Sequence, residues 1–268
     1  MGRQTQQWPC SIRRVVQSMV LVASVMMASA CGTIRHIREA QDAFNNAAEA
    51  ERAAPFETDP SARWASTAAA EYRLALGLTA RELRDNRQAL EEDDLLGTAL
   101  MLKALCIWRL GDLGEMQLSG NELTTALDAV SAFGPEKLGT RDRTLFFALP
   151  GLRDHDLGLR AADYEGAKPL FTSALMKIDE AITRANPPAN HPIRQYLHLA
   201  QLQSLRAWLA AATAGNPAAD VLRSRMAEID PRYDATIAKL RPLWTHDEKL
   251  HQAVSQVAKR MGKNPPPR

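Results

Sequence analysis

Apolar and small residues recur at three- and four-residue spacings along most of the chain, the pattern of helices that bury one face. Ile34, Ile37, Ala40, Phe44, Ala47 and Ala48 predict an amphipathic helix over Ile34 to Ala54. Pro55 interrupts it, and Asp59 followed by Pro60 supplies an N-cap and a first-turn proline for a second helix. That helix is predicted from Ser61 to about Gln88 through Trp64, Ala68, Tyr72, Leu76 and Leu83. Leu96, Leu100, Ala104, Ile107 and Leu110 mark a third, with the acidic run Glu91 to Asp94 placed to stabilise its N-terminus. Gly111 and Gly114 bracket a turn, and Leu118, Leu123, Leu127 and Val130 carry the return helix.

Beyond residue 132 the prolines divide the pattern. Pro135 and Pro150 predict a short helix from Arg141 to Leu149, and Thr172 to Arg184 reads as another. NPPANHP forbids continuation, after which Ile193 to Ala212 repeats Tyr196, Leu199, Leu202, Leu205 and Leu209. Asn216-Pro217 predicts the start of a helix ending near Ile229, and Asp230-Pro231 the start of a short one. Thr245 to Glu248 reads as a capping box for the last helix. Ala occurs 44 times in 268 residues, whereas Gly totals 14, a composition that favours helix throughout.

Two stretches resemble tetratricopeptide repeats. In the hairpin over residues 91–132, Ala104 matches the small position of that family's first helix, and Gly111 with Leu113 matches its turn. Met116 stands where the family has a small Ala. In ADYEGAKPLFTSAL, Tyr164, Ala167, Phe171 and Ala174 match the Y-x-x-A-x-x-x-F-x-x-A half-repeat. The resemblance covers about residues 60 to 240 and implies an all-α fold of helical hairpins, in a right-handed solenoid or bundle.

The first 31 residues resemble a bacterial lipoprotein signal. Arg13 and Arg14 lead into an apolar run from Met19 to Met27, and Ala28, Ser29 and Ala30 precede Cys31. The resemblance implies cleavage before Cys31 and acylation of its thiol, although Ala28 replaces the usual Leu; plain cleavage after Ala30 is the alternative. Gly32 is not the Asp that retains such proteins at the inner membrane, so the implied address is the periplasmic face of the outer membrane. The implied division is a leader over 1–30, a lipidated N-terminus and amphipathic helix over 31–59, a degenerate repeat domain over 60–261 and a disordered tail over 262–268.

Charge then changes the picture. The whole chain has 33 basic and 31 acidic residues, but the leader takes Arg3, Arg13 and Arg14 with it, leaving a formal charge of −1. That balance disfavours a nucleic-acid partner. Cys10, Cys31 and Cys106 have no metal-ligand spacing, and Cys106 sits within an apolar helix as a buried thiol. The six histidines form no metal motif, nor is there a GxSxG elbow or a phosphate loop. RDHD at Arg153 to Asp156 follows a Pro-Gly pair and is expected in a loop. Trp108, Trp208, Tyr72 and Tyr196 fall on apolar periodicities and are expected in the core.

The reading is a noncatalytic protein without cofactor or metal, joined to the bilayer through Cys31. Its expected role is a scaffold for an envelope protein partner, with Arg109, Arg194 and Arg206 as the candidate binding face. A periplasmic component that binds a small anionic solute for a transporter is the alternative. An open apolar groove would favour the first and an enclosed polar pocket the second.

Overall fold

The computed structural model describes residues 32–50, 63–113, 121–244 and 248–267. The proposed acylation site Cys31, the leader, Leu118 and the Thr245 capping position lie outside them. The described chain is all-α, with ten α-helices, one 3₁₀ turn and no strand among the described residues. It divides into two compact units, residues 1–134 and 135–268.

Unit 1 contains α1 (residues 32–50), α2 (Arg63–Asp85), α3 (Arg87–Glu92), α4 (Leu96–Asp112) and α5 (Asn121–Phe133). Beside the buried large side chains of α4, such as Met101, Leu105 and Leu110, α1 and α2 meet along a seam of small side chains. Ala40 and Ala43 of α1 meet Ala75 of α2 and Leu102 and Cys106 of α4, while Ala47 meets Ala68, Ala69, Tyr72 and Leu110. The Phe44 and Tyr72 rings touch edge to face, 5.1 Å between centroids. Glu82 is a buried acid held from two sides: the His36 ring lies 2.8 Å from Oε1, and Asn86 Nδ2 donates to Oε2 at 2.8 Å. Glu91 and Glu92 end α3 and Asp93 and Asp94 form the turn before α4, whose first turn has no side-chain cap.

Unit 2 contains α6 (Thr140–Leu159), α7 (Tyr164–Ala185), α8 (Pro192–Thr213), α9 (Ala219–Trp244) and α10 (Glu248–Arg260). Its core is bulkier: Phe171, Leu202, Leu205, Trp208, Ile229, Tyr233, Leu240 and Trp244 are all buried. The most extensive helix pair is α6 with α7. Gly158 allows it, because a Cβ there would stand 2.8 Å from Cε1 of Phe171, and Gly151 does the same against the Ala174 carbonyl at 3.0 Å.

Three readings of proline are corrected. α6 does not stop at Leu149 but continues through Pro150 to Leu159. Consequently Arg153 to Asp156 lies on a helix and not in a loop. α9 likewise runs through Pro231, so the two helices expected around Asp230 are one. An interior proline costs roughly 3 kcal/mol. Packing across it recovers that cost: Ala148, Leu149, Gly151 and Leu152 are buried on both sides of Pro150. In α9 the buried positions Ile229, Tyr233, Thr236, Leu240 and Trp244 keep one unbroken helical face past Pro231.

The remaining boundaries follow local chemistry. Asp163 caps α7 by accepting from the Gly166 amide at 2.8 Å. His191 caps α8, with Pro192 in the first helical turn. Asn186 closes α7 in the left-handed region at φ 44°. At the C-terminus, Lys263 pairs with Asp230 at 2.8 Å, and His251 Nε2 lies 3.0 Å from the Pro266 carbonyl.

Candidate functional site

A half-open cleft of about 960 Å³ lies in unit 2 where the ends of several helices meet. Leu159 ends α6 on one wall, and Tyr164 and Phe171 of α7 form the next. The C-terminal turns of α8 contribute Arg206, Leu209 and a run of small residues, with Leu222 and Met226 of α9 opposite. The lining is mostly apolar, and Leu159 is 58% exposed at its edge. Such a surface gains by covering apolar area.

Four polar residues interrupt it, of which Thr213 turns its hydroxyl back to the Leu209 and Ala210 carbonyls of its own helix. Arg206 is partly buried in the wall. The carboxylate of Asp163 is already engaged as the α7 cap. Tyr164 is 6% exposed and its hydroxyl has no hydrogen-bond partner among the described residues. An unsatisfied buried hydroxyl costs on the order of 1–3 kcal/mol, so the phenol favours any guest or water that completes it. The guanidinium of Arg225 lies 4.0 Å over the same ring, and its Nη1 donates to the Ala212 carbonyl at the end of α8.

The arginines read from the sequence have separate surroundings. Arg109 lies 4.8 Å over the ring of its neighbour Trp108 in unit 1. Arg194 donates to the Pro187 carbonyl at 3.0 Å and straps down the linker before α8. Arg206, twelve residues further along α8 and so about 18 Å away, is the one of the three that lines the cleft.

His155 is built into helix packing. His155 Nδ1 is 2.9 Å from Ser204 Oγ and its ring tilts against Phe171, tying α6 to α7 and α8. Its neighbour Asp154 accepts from Ser173 at 2.6 Å and from Lys177 at 2.7 Å. Ser204 is fully buried, which closes it to a substrate. Among the described residues no group of three or more metal-ligating side chains converges. Burial pushes the Cys106 thiol up to about 12, leaving it protonated and unreactive near neutrality. Trp208 and Tyr72 are core residues as expected, whereas Tyr196 is exposed.

Sequence reasoning missed a polar chain that is buried at His198 and Gln201 and reaches the surface at Asp179 and Lys239. His198, Gln201 and Ser204 stand at three-residue spacing inside an apolar helix, a signal present in the sequence. Gln201 donates to Asp179, which in turn accepts from Lys239, and Ser204 meets His155; these come from distant segments that no spacing rule connects.

No family model, curated protein or solved structure matches this chain. Among the described residues no helix is long and apolar enough to cross a membrane.

Proposed function

We propose that the chain is a noncatalytic, tetratricopeptide-like lipoprotein, anchored by acylated Cys31 at the periplasmic face of the outer membrane, whose unit 2 cleft holds an apolar segment of another envelope protein. The supporting observation is the form of the cleft: half-open, lined mainly by apolar side chains, with Arg206 in the wall and an unsatisfied phenol at Tyr164. A partner segment that buries apolar side chains there and offers an acceptor to the Tyr164 hydroxyl satisfies both needs. The engagement of Asp154, His155 and Ser204 in helix packing supports the noncatalytic reading. The leader pattern ending in Ala28, Ser29, Ala30 and Cys31 supports the anchor, and a tether raises the local concentration of a membrane-associated partner.

A photo-cross-linking residue at Leu159 in the membrane-bound protein tests this reading. One envelope protein should be captured, and Ala210→Trp, which fills the cleft from an exposed lining position, should abolish capture while leaving the fold intact. Cys31→Ala should remove acyl label and membrane retention. Saturable binding of a small anionic solute that is lost in Arg206→Gln, with no protein captured, would replace the scaffold by a solute-binding component.

A further inference from the structure

Segment 262–267 leaves α10 in a defined turn and doubles back along it. Gly262 takes φ 66°, and the amides of Gly262 and Lys263 donate to the Lys259 and Ala258 carbonyls, each at 3.0 Å. This left-handed closure ends the helix and reverses the chain. Met261, just before it, is 6% exposed in the unit 2 core, and Met261 and Gly262 both line the cleft. Beyond the turn the segment is held at two points. Lys263 Nζ pairs with Asp230 of α9 at 2.8 Å and lies 4.7 Å over the Tyr233 ring. Pro266 offers its carbonyl to His251 at 3.0 Å; a carbonyl only accepts, so the ring donates through Nε2–H. His251 stands about 15 Å of helix before Met261. The four residues from Lys263 to Pro266 reach roughly 13 Å when extended, so the segment runs nearly straight beside α10. Pro265, Pro266 and Pro267 favour that extended form in advance, and little chain freedom is lost in laying it down.

We propose that residues 263–267 are a strap that holds the last turn of α10 against the cleft, and that its release widens the cleft for a guest. α10 joins unit 2 through one buried face, Leu250, Val254 and Ala258. The strap adds a second hold at the far end: Lys263 ties the closing turn to α9, and His251 keeps the strap seated along α10. When Lys263 leaves Asp230, the turn that carries Met261 and Gly262 is free to swing away from α9, and that wall of the cleft moves with it. Both holds are partly open to solvent. The Lys263 and Asp230 side chains are 24% and 42% exposed, and His251 and Pro266 are half-buried, so each contact is weak by itself. The strap can therefore detach while Trp208, Tyr233 and Trp244 keep the unit 2 core in place. An entering segment thus meets one wall that yields without unfolding the rest.

Control of guest entry rests on the docking reading above, but the strap is testable without any partner. Nitrogen NMR of the histidine rings, amide hydrogen exchange, and titration with the apolar dye anilinonaphthalene sulfonate test it in the full chain. Wild-type His251 should be the Nε2–H tautomer. Lys263→Met, or removal of residues 264–268, should speed exchange of residues 256–261 about 10-fold and leave α7 and α8 unchanged. Either variant should bind the dye about 5-fold more tightly, and Ala210→Trp, which fills the cleft, should cancel that gain. His251→Phe keeps a ring beside Trp244 but donates nothing to Pro266, and should reproduce the truncation. Wild-type His251 in the Nδ1–H tautomer overturns the strap whether or not the variants fold. Unchanged exchange at 256–261 in the folded variants does so as well, and faster exchange with unchanged dye affinity overturns its control of the cleft. Absence of any protein captured at Leu159 overturns the docking reading instead.

Discussion

Unit 1 and unit 2 are built from helices of similar kind but solve packing in opposite ways. In unit 1, Ala40, Ala43, Ala47, Ala68, Ala69 and Ala75 let α1 and α2 approach closely, and the seam stays apolar around Cys106. In unit 2, Trp208, Tyr233, Trp244 and Phe171 fill the space between helices. The 960 Å³ cleft of unit 2 is lined by Tyr164 and Phe171 together with small residues such as Ala161, Ala207, Ala210 and Ala211. Both units nevertheless place polar groups between helices, His36 with Glu82 in unit 1 and Gln201 with Asp179 in unit 2.

The contrast breaks first at the large residues. Trp208→Ala should cost about 3–5 kcal/mol, because the side chain is fully buried and its loss opens a cavity. Denaturant unfolding of the variant checks this, and a cost below about 1 kcal/mol would mean that unit 2 collapses into the gap. The opposite substitution probes unit 1: Ala75→Leu should cost about 1–3 kcal/mol by overpacking the seam. Ala167→Trp at the repeat-like contact of unit 2 should cost a similar amount, since Ala167 is buried beside Phe171. If Ala75→Leu were neutral while Ala167→Trp were not, the seam would be the looser of the two.

Smaller effects sharpen the picture. Asp163→Ala removes the cap of α7 at the cleft and should lower stability by about 1 kcal/mol. Faster hydrogen exchange confined to the first turn of α7 would locate that loss. The smallest is a change in reactivity alone. At pH 8, Cys106 should resist iodoacetamide in the native protein and react after denaturation, because burial covers the thiol and pushes it up to about 12. Peptide mass mapping separates it from the other cysteines, and native labelling of Cys106 would show that the seam opens.

Helical periodicity made the all-α class and most of the buried faces legible. Leu96, Leu100, Ala104, Ile107 and Leu110 are all buried on α4, and Tyr164, Ala167, Phe171 and Ala174 all on α7. The local rule failed where tertiary packing outweighed it. Pro150 and Pro231 read as boundaries, yet the spacing from Ile229 through Tyr233, Thr236, Leu240 and Trp244 already crossed the second of them. Of the candidate arginines, Arg206 reached the cleft while Arg194 serves its own linker, a distinction that depends on which neighbours fold beside each. The polar chain of His198 could be half read, since one helix carries His198 and Gln201 but two others carry the groups that complete it.

The continuation of α6 and α9 through proline has a consequence for how the molecule assembles. A segment such as 219–244 lacks an amide donor at Pro231 and at Pro242 and, alone in water, has no packing to offset either loss. Its helix therefore depends on Trp208 and the rest of the unit 2 core being in place. An excised peptide of these residues should show little helicity, and in the whole protein helical circular dichroism from this region should vanish together with tertiary signals. Secondary structure in α9 is then a product of assembly and not its starting material.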